Sequence, residues 1–282
     1  MKILQKLGFG LLSAIIALGL SACGEEKNKS LESTDSSKMP LLVVGATPVP
    51  ASEILEFAKP LLAQKGVEMK VQVFTDYTTP DIALNDGSND ANLYQHKPFM
   101  EAQNAQRGFN LVALEPIYVV PLGFYSKKYK SVDEIPEGAD IALPGDSSNL
   151  ARALILLHDF GVIELKDPKN LASTIEYDIV KNPKNLRFRP VEAAGLPSLL
   201  PNVDAAVINA NYALQAGFSI KSAFFHEDSK SEYVNVFVTR KELENDERIQ
   251  KLKEVLMSDE IAEFILQKYK GEILPVNLKV KI

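Results

Sequence analysis

The 282-residue sequence predicts an α/β protein of two lobes, and three observations predict it. Short, continuously apolar segments recur, such as Leu41-Leu42-Val43-Val44 and Ala205-Ala206-Val207-Ile208, the pattern of strands buried on both faces. Between them lie segments whose apolar residues repeat at three- and four-residue spacing, the pattern of helices with one buried face. This alternation runs from residue 41 to about 108 and starts again near 140, so two α/β runs follow each other along one chain.

Each element follows from local pattern. Residues 41–45 form the first expected strand. Ile54, Leu55, Phe57, Ala58, Leu61 and Leu62 share one helical face. Met69, Val71 and Val73 alternate with Lys70 and Gln72, as in a half-buried strand. Ile82 to Leu84 read as a short helix ending near Gly87, and residues 91–94 as a strand. Residues 98–106 form a helix that Gly108 stops. The apolar run 118–125 reads as one strand leading into Ser126-Lys127-Lys128. In the second run, residues 140–144 are a strand, and 149–160 a helix with Gly161 in the C′ position. Residues 205–208 and 233–238 are strands, and helical patterns with charged faces run from Arg240 to Lys270. Strand–helix alternation favours parallel sheets. The expected lobes are residues 40–121 with 211–282, and residues 122–210.

The N-terminus carries a different signal. Lys2 and Lys6 precede an apolar run from Leu7 to Leu20, followed by Leu20-Ser21-Ala22-Cys23-Gly24. A basic start, a short apolar stretch and small residues before a cut site describe a secretory signal peptide. The run falls short of the ~20 apolar residues of a bilayer span. Its ending resembles a bacterial lipobox, which implies a diacylglycerol on Cys23, cleavage after Ala22 and an acylated new amino terminus. The alternative is an ordinary cut site followed by a chance cysteine. Two or three acyl chains anchor stably where one is marginal. Residues 1–22 are therefore the expected signal peptide, and residues 23–39 the lipidated cysteine and a flexible tether. Residues 24–38 read GEEKNKSLESTDSSK, charged and Ser-rich, and cannot form a core. The body would hang from a bacterial membrane, facing the periplasm or the cell exterior.

Composition excludes several function classes. The net charge of −6 becomes about −8 once a leader with two lysines and no acidic residue is removed, which argues against a nucleic-acid surface. Cys23 is the only cysteine, so its lipidation leaves no disulfide and no thiol nucleophile. There is no Gly-x-Ser-x-Gly elbow, no His-Glu-x-x-His, and no glycine followed by lysine as a phosphate loop requires. The three histidines are His96, His158 and His226. No enzyme activity, metal or cofactor is expected.

Three clusters carry recognition chemistry. Tyr94, His96 and Phe99 gather at an expected strand end, with Tyr77 upstream. They are either core aromatics or an apolar cradle suited to a thioether, where each sulfur–aromatic contact adds roughly 0.3–1.5 kcal/mol. In Pro144-Gly145-Asp146-Ser147-Ser148-Asn149-Leu150-Ala151-Arg152 a strand turns into a helix start. Arginine is electrostatically disfavoured there, so Arg152 calls for an anionic partner; the alternative is a solvated arginine beside an ordinary cap. Asn209, at the end of an apolar strand, and Asn235, inside another, are polar residues that could meet a ligand ammonium or be satisfied within the core.

Together these residues resemble the NlpA-type methionine-binding lipoproteins, the substrate-binding components of methionine ABC importers. The likeness lies in Asp76-Tyr77, Asp90-Ala91-Asn92, Gln95-His96-Lys97-Pro98, Tyr125-Ser126-Lys127-Lys128, Asn149-Leu150, residues 181–186 (KNPKNL), Ala206-Val207-Ile208-Asn209 and Tyr233-Val234-Asn235. The resemblance implies a two-lobed, periplasmic-binding-protein-like fold with the ligand in the inter-lobe cleft, where Tyr77, Tyr94, His96 and Phe99 surround a methionine side chain. It implies that Arg152, helped by Asn149, binds the carboxylate, and that Asn209 and Asn235 hold the amino and carboxylate groups. The implied partners are L- or D-methionine, an ABC permease with its cytoplasmic ATPase, and the membrane through the lipid; a monomer is implied. Tyr94 stands where the family usually has Phe, and Phe99 where it has Tyr. A methionine-containing dipeptide or another small amino acid is the alternative ligand.

Overall fold

Apolar β-branched runs become the central strands, and the helices cover them with the faces their spacing defines. The computed structural model describes residues 39–228 and 231–277; Cys23, the leader and the tether up to residue 38 lie outside the described residues. In chain order, β1 (Leu41–Ala46), α1 (Glu53–Gln64), β2 (Glu68–Val73), α2 (Thr79–Asn85), β3 (Ala91–His96), α3 (Lys97–Arg107) and β4 (Leu111–Val119) come first. Next come β5 (Leu122–Tyr125), β6 (Asp140–Pro144), α4 (Ser147–Asp159), β7 (Glu164–Leu165), α5 (Ile175–Asp178), β8 (Ile179–Lys181) and β9 (Arg187–Val191). After them are α6 (Leu196–Leu199), β10 (Ala205–Asn209), α7 (Ala210–Gln215) and β11 (Phe225–His226). The chain closes with β12 (Val234–Arg240), α8 (Glu247–Leu256), α9 (Asp259–Tyr269) and β13 (Leu274–Pro275).

The strands form two main sheets, one in each lobe, ordered β13-β4-β12-β3-β1-β2 and β11-β5-β10-β6-β9, with a small β7-β8 pair. The sheets are mixed, where the alternation predicted parallel ones. β1 is parallel to β2 and β3, and β6 to β9 and β10. β12, however, lies antiparallel between β3 and β4, and β5 is antiparallel to β10 and β11. The cause is connectivity. β12 re-enters the first sheet from the other lobe, without the helical crossover that a parallel neighbour needs.

The single strand expected over 118–125 is two strands in different sheets. Val120-Pro121 separates them. Proline has no N–H for a ladder, and here its carbonyl accepts from the amide of Ala210 at 2.9 Å. The break sends the chain from β4 in one lobe to β5 in the other. The return falls between β11 and β12. Phe225–His226 thus belongs to the second sheet although it lies beyond the boundary expected near residue 210.

Helix faces match their spacing. α1 buries Ile54, Leu55, Ala58 and Leu62, and α8 buries Ile249, Leu252, Val255 and Leu256. α3 ends at Gly108, whose φ of 69° is the left-handed cap that glycine adopts without strain. One apolar cluster runs from Leu42, Val44 and Phe237 to Tyr125, Ala142 and Ile208, so the two sheets share a core where the lobes meet. A second cluster, with Phe124, Ile141, Leu154 and Val207, fills the other side of the second sheet. Among the described residues no helix is long and apolar enough to cross a membrane.

Candidate functional site

Strand ends and helix starts converge where the lobes meet. The end of β3 brings Tyr94, Gln95 and His96, and the first turn of α3 brings Phe99. Tyr77 follows β2, and Asn235 is the second residue of β12. From the other lobe, α4 supplies Asn149 and Arg152, the end of β10 supplies Asn209, and α7 supplies Asn211. These residues line one cavity between the two sheets. All eight candidate ligand-binding residues line it. Thr47, Pro50, Gln95, Val120 and Asn211 line it as well. Asn211 had a visible signal, since it stands two residues from Asn209 in an otherwise apolar run; Thr47, Pro50 and Val120 had none.

The aromatic residues form one wall. Tyr77 lies 6.0 Å, ring to ring, from both Tyr94 and Phe99, and Tyr94 lies 6.1 Å from Phe99, edge to face. The Tyr94 hydroxyl donates to the Tyr77 carbonyl at 2.8 Å. The Tyr77 hydroxyl donates to Asn211 Oδ1 at 2.6 Å, tying the cradle to the other lobe. Burial pushes both phenols well above their ordinary range, so these rings stay neutral.

His96 joins the cradle to the polar end. Its Nδ1 caps α3 by accepting the Phe99 amide at 3.2 Å, so Nε2 carries the proton and donates to Asn149 Oδ1 at 3.2 Å. Burial, reinforced by the nearby Arg152 charge, lowers its pKa to about 3, so the imidazole is neutral throughout the physiological range. Asn149 Oδ1 also accepts from Asn209 Nδ2 at 2.9 Å, while Asn149 Nδ2 reaches both oxygens of Asp146. Asp146 is the N-cap of α4, accepting the Asn149 amide at 2.8 Å, and burial raises its pKa.

Arg152 is 1% exposed, and its anionic partner within the chain is Glu227. Nε donates to Glu227 Oε1 at 2.8 Å, and Nη2 to Glu227 Oε2 and to the Val120 carbonyl. The guanidinium stacks 4.6 Å from the Tyr233 ring centre. Nη1 has no hydrogen-bond partner among the described residues. Residue-level reading missed Glu227, because its pairing with Arg152 spans 75 positions and no periodicity marks it.

Several buried polar atoms also lack a partner among the described residues, including Asn209 Oδ1, Asn211 Nδ2 and Gln95 Oε1. Such atoms cost roughly 1–3 kcal/mol each unless something binds them. Asn235 Nδ2 donates to the Tyr94 carbonyl at 2.8 Å. The cavity thus has an aromatic wall suited to an apolar or thioether group, and a polar end with Arg152 Nη1 as donor and amide oxygens as acceptors.

The pattern describing NlpA lipoproteins matches residues 42–277. The chain belongs to the NlpA lipoprotein family. Among relatives in this family, the D-methionine-binding lipoprotein MetQ of Escherichia coli K12 is 37% identical over 269 residues, covering 93% of this chain and 95% of that one. A nutrient-binding protein from Burkholderia cenocepacia, solved bound to methionine, superposes with a TM-score of 0.80 at 38% identity, covering 83% of this chain and 99% of that one. The crystal structure of the methionine-binding protein MetQ gives 0.79 at 38% identity, covering 83% and 97%. All eight predicted positions line one cavity of this chain, and Cys23 lies outside the described residues.

Proposed function

We propose that this chain is the lipid-anchored, extracytoplasmic substrate-binding protein of an ABC importer and that it captures methionine. The observation that carries this reading is the cavity itself. One wall is the Tyr77–Tyr94–Phe99 cradle, and the facing lobe offers Arg152 with Asn209. The thioether lies against the rings, the carboxylate meets Arg152 Nη1, and the ammonium meets amide oxygens. Family membership and methionine-binding relatives support the same assignment. Closure of the lobes around the ligand is the signal a permease reads, since a ligand shifts a conformational equilibrium only by binding one state more tightly. The permease and its ATPase are the partners, and a monomer is the delivering form.

The test is direct. Full-length protein, extracted in detergent and never refolded, is denatured and its released small molecules are identified by mass spectrometry. Methionine near one equivalent supports the reading. A methionine-containing dipeptide moves the ligand and keeps the transport role. An empty protein that gains no thermal stability from methionine defeats the assignment. For the anchor, Cys23→Ala should move the protein from the membrane to the soluble fraction.

A further inference from the structure

Glu227 stands behind the cavity wall. It is not among the cavity's lining residues; it lines a separate surface groove beside Asp159, His226 and Glu232. Its position is fixed twice by one residue of β5, since the Glu227 amide donates to the Leu122 carbonyl at 3.0 Å and the Leu122 amide donates to Glu227 Oε2 at 2.9 Å. From there both carboxylate oxygens take Arg152 Nε and Nη2. The second Nη2 contact, to Val120, completes the clamp. What remains for the cavity is Nη1.

Charge is the consequence. Among the lining residues Arg152 is the one formally charged side chain, because His96 is held neutral. Glu227 cancels that charge at contact distance. Two further carboxylates lie one layer out, each engaged by a lining amide: Asp146 by Asn149, and Asp81 by Gln95. The wall therefore has no uncompensated positive charge with which to repay the desolvation of an anion. It does have buried acceptors, Asn209 Oδ1 and Gln95 Oε1, that have no partner among the described residues and match an ammonium.

We propose that Glu227 is a specificity-determining residue that acts through Arg152: it neutralises the guanidinium from behind and presents only Nη1, so the cavity selects a zwitterionic amino acid over a monoanion of the same shape. The inference rests on the amino-acid-binding reading above and adds to it a reason why the ligand's own ammonium is required.

The test uses full-length protein in detergent at about pH 6.5, where an α-amino group stays charged. Calorimetric affinities are measured for three probes of one shape: L-methionine (zwitterion), its 2-hydroxy analogue (anion) and methionine amide (cation). Wild type should prefer methionine to the hydroxy analogue by about a hundredfold or more, and E227Q should narrow that ratio by roughly tenfold while disfavouring the amide further. E227D, which keeps the charge, should hold the wild-type ratio. An E227Q that weakens all three probes by one common factor has only a structural role and overturns the proposal. Should E227Q fail to fold, wild type alone still decides, because a hydroxy analogue bound within about threefold of methionine contradicts a charge-balanced wall. A wild type that binds no probe defeats the amino-acid reading and this inference with it. Tight methionine binding with an unmoved ratio defeats this inference alone.

Discussion

Nε2 of His96, at the end of β3, lies 3.2 Å from Oδ1 of Asn149, in the first turn of α4, and this contact joins one lobe to the other. It is direct because His96 is neutral and its proton sits on Nε2, a state fixed by the Phe99 amide on Nδ1. Asn149 in turn is held by Asp146 and Asn209, so a strand end, a helix cap and a second strand end meet at one amide.

Asn149→Ala removes this bracket without touching the aromatic cradle. Losing buried hydrogen bonds at about 1–3 kcal/mol predicts methionine binding weaker by roughly tenfold to a hundredfold. Titration calorimetry checks it; unchanged affinity would mean that the bracket contributes nothing to the closed state.

Arg152→Ala should damage stability as well as binding. It removes the Nη1 donor and strands the Glu227 carboxylate, and breaking such a pair by one partner costs about 3–5 kcal/mol. The double variant R152M/E227Q should recover melting temperature relative to R152A and recover no methionine binding. Comparing thermal melts with calorimetry separates the two effects.

Acid should reveal two opposed titrations. His96 folds with its pKa lowered from the ordinary 6.5 to about 3, so the unfolded chain binds the extra proton and stability falls as pH drops through that window. Asp81 is fully buried, and burial raises its pKa from 3.8 to about 6, so its contribution is lost as pH rises through that window. Asp81→Asn should therefore raise stability at pH 7 relative to pH 4, by on the order of 2 kcal/mol. Denaturant melts of wild type and D81N at the two pH values test it; a D81N effect equal at both would refute the assignment.

Phe99→Ala opens the cradle between Tyr77 and Tyr94. Truncating a buried aromatic costs about 3–5 kcal/mol, shared between folding and binding. Methionine affinity should fall by tenfold or more, on the order of 1.4 kcal/mol, while an amino acid with a short side chain loses little. Equal losses for methionine and alanine would place Phe99 outside the side-chain pocket.

The central strands, α1, α3, α4 and α8 were legible because burial stamps a local period on the sequence. Gly108 and Gly161 were legible because a left-handed cap is a local requirement. The eight candidate residues line one cavity; pattern marked them as out-of-place polar or aromatic residues near strand ends and helix starts, and the family resemblance supplied the ligand roles proposed for them. The short strands β7, β8, β11 and β13 escaped notice, since two or three residues carry no period. The mixed sheets and the split at Pro121 escaped because a strand's partner and direction depend on the path between lobes.

The sequence by itself determined the two α/β runs, the aromatic and amide residues available to a ligand, and the need of Arg152 for an anion, all consequences of composition and spacing within a few residues. Tertiary structure alone decided that the anion within the chain is Glu227, that His96 is neutral, and that Asn149 is shared among three elements. The reason is physical. Charge pairing and desolvation depend on distance and burial, and residues 75 positions apart acquire both only when the chain has folded.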